Sequence, residues 1–307
     1  MDIQTLSDEL ILYGIQEQMQ DMYIYTFGRE TTIYFRQSTR TQLYKKVPLE
    51  VAQQLIARFK YLGEMDVGEK RKAQLGAITY AVSDQAQRLR LSTVGDYRGQ
   101  ESMVIRFLHA LTNTQLNYFF PEDAVFVQEK IQQEVGLYLF SGPTGSGKTT
   151  LMYQLARQCQ GQVITIEDPV EIEEPTFLQL QTNEKIGQTY DQLIKLSLRH
   201  RPDLLIIGEI RDAHTAQAAI RAALTGHTVF ATVHAKGVAA TRARLLDLVG
   251  TNSELNNCLN GVLYQQLYAA DQQTKALLAY EFYTGDREKQ HWHTRYAQMK
   301  GQVAAYE

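Results

Sequence analysis

The stretch Leu137-Tyr138-Leu139-Phe140-Ser141-Gly142-Pro143-Thr144-Gly145-Ser146-Gly147-Lys148-Thr149-Thr150 decides the fold. Four consecutive apolar residues suit a strand buried on both faces. From Gly142 the spacing is G-x-x-x-x-G-K-[ST], and the residues after Thr149 have the periodicity of a helix. Strand, glycine-rich loop and helix together form a phosphate cradle. The glycines let backbone N–H groups turn toward an anion at the helix N-terminus, and Lys148 adds a point charge. The Thr149 hydroxyl is suited to ligate Mg²⁺. Candidate nucleotide-binding residues are Gly142, Pro143, Thr144, Gly145, Ser146, Gly147, Lys148, Thr149 and Thr150.

Working outward, the pattern repeats. Apolar runs at 163–166 (VITI), 204–207 (LLII) and 228–233 (TVFATV) each precede a polar loop and a helical segment. Near-continuous apolar strands alternating with helices predict a parallel sheet covered on both faces, hence an α/β domain. Ligands of such sheets bind beyond the carboxyl ends of the strands. There the three runs lead into Glu167 and Asp168, into Glu209 and Arg211, and into His234.

Glu209 is the candidate catalytic carboxylate, placed to orient or deprotonate a water or to hold Mg²⁺. Glu167 and Asp168 suit catalytic or metal geometry, or else helix capping and local ion pairs. His234 falls at the phosphate rim as a γ-phosphate sensor. His227 begins the same strand, and seven residues at about 3.3 Å each separate the two rings by roughly 23 Å. The pair therefore cannot share one ion, and His227 is read as a structural or subunit-contact residue. Arg90 and Arg106 fit either neutralisation of a phosphoryl group or a solvated strand face.

The first hundred residues differ. Short alternating runs such as Tyr23 to Phe27 and Thr31 to Phe35, with a helical stretch from Pro48 to about Leu62, predict a small α+β domain. Polar turn residues at 109–121 mark the boundary. The expected division is 1–108, 109–250 and 251–307, the last a short, mainly helical region with helices near 253–268.

Composition limits the alternatives. Length 307, 44% hydrophobic and 21% charged residues describe a folded chain with room for two domains. A net charge of −3 lacks the basic signature of a dedicated nucleic-acid binder, so no direct sequence-specific nucleic-acid contact is expected. Cys159 and Cys258, the two cysteines, lack metal-site spacing. The start carries acids where a signal peptide carries Lys or Arg, and no run reaches eighteen apolar residues. A cytoplasmic chain is expected, and any membrane role would have to be peripheral.

At these residues the chain resembles the secretion ATPase superfamily that drives type II secretion, type IV pili and competence pseudopili. Gly142 to Thr149 match its Walker A sequence, and Thr165 to Glu171 its Asp box. Leu198 to Asp203 followed by LLIIGEIRD resembles the approach to its Walker B box. Thr225 to His227 through Thr232 to His234 match its His box. Lys60 to Asp66 and Glu69 to Gly76 resemble its N-terminal domain.

The resemblance implies a RecA-like P-loop core preceded by a PAS-like α+β domain, with ATP and Mg²⁺ as cofactors. It also implies a homohexamer at the inner face of the cell membrane, pushing on an inner-membrane platform protein. Arg90 and Arg106 correspond to arginines that in the family reach the nucleotide, and Arg211, beside Glu209, is a further candidate for phosphate contact. His200 and Arg201 depart from the family's usual Gln-Asp, and the paired CxxC module and long N-terminal extension of type II secretion ATPases are missing. A compact chain of this kind is most similar to the competence branch. Pilus retraction, conjugative secretion, and a nucleotide-binding scaffold with little turnover are the competing functions.

Overall fold

The computed structural model describes residues 2–27, 30–37, 40–108, 116–183, 186–250, 253–270, 273–284 and 288–304. The chain divides into two compact units, Met1–Ala110 and Leu111–Glu307. Much of the segment expected to mark a boundary, residues 109–115, lies outside the described residues.

In the first unit, α1 (Ile3–Gln16) and α2 (Leu49–Leu62) cover one face of an antiparallel sheet. Its strands are β1 (Asp21–Phe27), β2 (Glu30–Gln37), β3 (Arg40–Pro48), β4 (Gln74–Val82), β5 (Gln85–Gly95) and β6 (Glu101–Leu108). Their spatial order is β3-β2-β1-β6-β5-β4. Period-two alternation sends Met22, Ile24, Leu89, Leu91, Met103 and Ile105 inward against Leu10, Leu55 and Phe59. Lys60, fully buried, is satisfied by Glu101 at 2.8 Å and the Glu69 carbonyl at 2.6 Å. Burial of that charge is tolerated because both partners are fixed.

The second unit begins with β7 (Asn117–Tyr118) and α3 (Pro121–Gln133), then β8 (Leu137–Ser141), α4 (Lys148–Ala156), β9 (Val163–Glu167) and β10 (Leu178–Gln181). It continues through α5 (Tyr190–Ser197), β11 (Leu204–Ile207), α6 (Ala213–Leu224), β12 (Thr228–Val233) and α7 (Val238–Val249). The remainder is α8 (Ser253–Cys258), β13 (Leu259–Ala270), β14 (Gln273–Phe282), β15 (Lys289–Gln290) and α9 (Trp292–Ala304). The sheet runs β10-β9-β11-β12-β8-β13-β14-β15, parallel as far as β13. All four runs read as strands are strands. Leu137 and Leu139 pack with residues of α5 and α6, whereas Tyr138 and Phe140 pack with α3 and α4. Helices therefore cover both faces, as the unbroken apolar runs require.

One expectation changes. Helix near 253–268 is limited to Ser253–Cys258, and a twelve-residue strand begins at Leu259. Buried Asn260 and Gln265 blur its apolar pattern, but each donates to a main-chain carbonyl, Val135 at 3.0 Å and Ser146 respectively. The C-terminal helix α9 docks Trp292, Tyr296 and Met299 on Phe120, Tyr268 and Leu277. Among the described residues no helix is long and apolar enough to cross a membrane.

Candidate functional site

The carboxyl ends of β8, β9, β11 and β12 share one rim because their ladders are parallel. After β8, Ser141 is followed by the glycine-rich loop, and α4 begins at Lys148. Gly147 caps that helix in the left-handed region at φ 80°, where a side chain is strained. Gly142 has φ 146°, and a Cβ there would fall 2.2 Å from the Gln265 carbonyl. The loop thus requires glycine at both ends.

Lys148 Nζ folds over the loop to donate to the carbonyls of Gly142 at 3.0 Å and Pro143 at 2.9 Å. Desolvation lowers its pKa, opposed by the charges of Glu171 and Glu209. Its ammonium is therefore held by weak neutral acceptors that a phosphate oxygen would outcompete.

After β11, Glu209 is largely shielded and takes two partners. Arg211 Nε donates to its Oε2 at 2.6 Å, and His234 Nε2 lies 3.3 Å from its Oε1. Gly208, just before it, leaves room where a Cβ would meet the Tyr190 hydroxyl at 3.1 Å and the Glu167 Cα at 3.2 Å. Arg211 also reaches Asp168 at 3.7 Å. Asp168, Glu209, Arg211, Tyr190 and His214 line a cleft of about 380 Å³. Burial raises the Tyr190 pKa, with the negative charge of Asp168 next. Glu209, Arg211, Asp168 and His234 are thus gathered at one rim.

Glu167 is placed differently. Its carboxyl is buried, accepting from the hydroxyls of Tyr153 at 2.6 Å and Thr165 at 2.7 Å. Desolvation raises its pKa, opposed by those two hydrogen bonds. Thr165 and Glu167 share a face because they are two apart on β9. Gln179 extends the network, donating to Tyr153 at 2.8 Å and to the Ile172 carbonyl at 2.7 Å. The acid that meets the phosphate loop is instead Glu171, whose Oε2 accepts from the Thr149 hydroxyl at 3.3 Å.

Sequence reasoning missed Glu171 and Gln265 as site residues. The first stands in the Thr165 to Glu171 run, four residues past the end of β9, which marked the segment without separating Glu171 from Glu167. The second had no local signal, because its partner lies 119 residues upstream.

His227 lies at the opposite end of β12, with Nδ1 3.2 Å from both the Thr225 hydroxyl and the Ala222 carbonyl at the end of α6. Arg90 and Arg106 belong to the first unit, directly opposite one another across β5 and β6. Facing like charges are unfavourable. Asp21 relieves this, its carboxylate accepting from Arg106 Nε at 2.9 Å.

The donor set fits a magnesium nucleotide. Among the described residues no cluster of three His, Cys, Asp or Glu side chains forms a metal cage of its own. The Thr149 hydroxyl beside the Glu171 carboxylate offers hard oxygens. Mg²⁺ is commonly held by one or two such groups together with substrate phosphates.

The type II/IV secretion system protein family matches residues 2–307. The competence protein ComGA of Streptococcus pneumoniae is 48% identical over 267 residues, 86% of this chain and 84% of its own. ComGA of Bacillus subtilis is 35% identical over 86% of this chain and 76% of its own. In fold, the chain is similar to the pilus retraction motor PilT solved with ADP, at TM-score 0.69 and 23% identity, over 97% of this chain and 87% of that one. The ATPase DotB of Legionella pneumophila gives TM-score 0.70 at 22% identity, over 97% and 84%. Together with four parallel strands ending in a glycine-rich loop, two acids and a histidine, these likenesses establish that the chain belongs to the type II/IV secretion system protein family.

Proposed function

We propose that the protein hydrolyses ATP with Mg²⁺ and that the energy drives assembly of a competence pseudopilus. The observation that carries this reading is the convergence of Lys148, Thr149 and Glu171 at the loop after β8, with Glu209 at the same rim of the parallel sheet. The likeness to two ComGA proteins supports the competence assignment. In this reading the loop amides and Lys148 hold the phosphates, and Thr149 with Glu171 hold the metal. Glu209, flanked by Arg211 and His234, orients the attacking water. When bound, Mg²⁺ neutralises charge on the phosphate oxygens. Glu167 acts from behind, fixing the strand end on which Asp168 and Glu171 depend.

Arg90 and Arg106 supply positive charge to the phosphoryl group in transfer, and His227 serves a structural role. The working form is a homohexamer in the cytoplasm, peripheral at the membrane and acting on a platform protein of pilus type. The N-terminal domain is that of residues 1–108, and residues 251–307, set apart in the sequence reading, extend the sheet of the nucleotide domain that begins at 109.

The test is phosphate release measured together with particle mass, with and without membranes from the source organism. Turnover by a six-subunit particle, stimulated by those membranes, is expected. A second reading, a nucleotide-binding scaffold, draws on the engagement of Glu209 by Arg211 at 2.6 Å. It predicts tight nucleotide binding with negligible phosphate release under either condition.

A further inference from the structure

Strand β13 lies alongside β8, and the pairing of Tyr264 with Ser141 sets Gln265 beside the first glycine of the loop. Gln265 is only 1% exposed, and its Nε2 donates to the Ser146 carbonyl. A Cβ at Gly142 would strike the Gln265 carbonyl at 2.2 Å, and one at Gly147 would come within 2.7 Å of Nε2. Gln265 Oε1 and Ser146 Oγ are both buried without a hydrogen-bond partner among the described residues. A buried amide oriented for one bond while its oxygen goes unsatisfied is costly. That cost is retained at the turn from loop into α4.

The peptide joining Ser146 to Gly147 is trans. In a planar trans peptide the C=O and the following N–H point in opposite directions. A Ser146 carbonyl drawn inward to Gln265 therefore turns the Gly147 N–H outward, to the side where the loop receives an anion.

We infer that Gln265 is a positioning residue for nucleotide: by holding the Ser146 carbonyl it presets the Gly147 N–H as a phosphate donor. The assignment rests on the nucleotide-binding reading above. Gln265 touches no phosphate itself, and its effect is confined to ligands that carry a phosphate at the loop.

The experiment titrates wild type, Gln265→Leu, Gln265→Glu and Gln265→Asn with a fluorescent ADP analogue, and displaces it with ADP or AMP. Melting temperature and circular dichroism report folding. The Gln265→Glu variant keeps the side chain's size, so it stands in if the leucine variant does not fold. Both should bind ADP about tenfold more weakly, since one charge-assisted hydrogen bond is lost. AMP affinity should stay within twofold, so that discrimination between ADP and AMP collapses. Gln265→Asn, which retains an amide, should recover part of the ADP affinity. Unchanged ADP affinity in folded Gln265→Glu overturns the assignment, as does a parallel loss for ADP and AMP, which marks general distortion. Failure of wild type to bind any nucleotide overturns the underlying reading instead.

Discussion

The Thr149 hydroxyl donates to Glu171 Oε2 at 3.3 Å, while Glu167, four residues earlier, is buried against Tyr153 and Thr165. Two acids of one short segment therefore have different tasks. Glu171→Gln is expected to lower phosphate release by about 100-fold or more, the range for losing a positioned carboxylate. Glu167→Gln keeps an acceptor for both hydroxyls and should act mainly on stability. Steady-state kinetics with thermal melts of both variants decides. Equal catalytic losses would remove the distinction.

Glu209 is held by Arg211 and His234 in a largely shielded setting. Glu209→Gln should abolish hydrolysis and retain ATP binding, because the amide preserves shape and loses the charge and basicity. Arg211→Ala should cost about tenfold, as expected for a group that orients another. Phosphate release at the wild-type rate in Glu209→Gln would end the role assigned to that carboxylate.

Lys148 donates to Gly142 and Pro143 carbonyls in the loop it serves. Lys148→Ala removes both the closing contacts and the charge, so nucleotide affinity and turnover should fall together by at least about 100-fold. Equilibrium binding of a labelled ATP analogue measures it. Tight binding by the alanine variant contradicts the cradle.

Burial pushes the Glu167 carboxyl above the ordinary glutamate value of 4.5. A raised folded pKa means that the native state binds more protons than the unfolded chain just above pH 4.5. The stability this contributes is complete below that value and is lost as pH climbs through the folded pKa. Glu167→Gln should therefore flatten the decline in stability on the alkaline side of pH 4.5. Denaturant midpoints between pH 4.5 and 8 test the slope, and identical slopes in both proteins would refute the shift.

The parallel core was legible because its strands are buried on both faces, which leaves runs such as Leu204 to Ile207 with no polar interruption. Strand β13 was not. Asn260 and Gln265 are polar yet buried, and their partners, Val135 and Ser146, are remote in sequence. Helical and extended patterns cannot be separated where the buried face contains amides. The loop residues Gly142 to Thr150 carried their chemistry in their spacing. Which acid faces them did not follow from spacing, since Glu167 and Glu171 both flank one strand end and it is the contacts with Tyr153 and Thr165 that hold the first inward.

Helix α9 is tied to the start of α3 by Arg295, whose Nη2 donates to Asp123 Oδ1 at 2.6 Å. The guanidinium also lies over the Phe120 ring at 4.1 Å, and the Tyr280 hydroxyl donates to the same carboxylate at 3.2 Å. Both charges are well shielded, with 14% and 3% of their side chains exposed. Removing one partner of such a pair leaves the other buried and uncompensated, at a cost of about 3 kcal/mol. Arg295→Met should lower stability by that amount, whereas Arg295→Met with Asp123→Asn should lose less than the sum of the single changes. A coupling of about 2 kcal/mol in chemical denaturation is expected, and additivity within about 0.5 kcal/mol would show that the aromatic contacts of Trp292 and Tyr296, rather than this ion pair, fasten the helix.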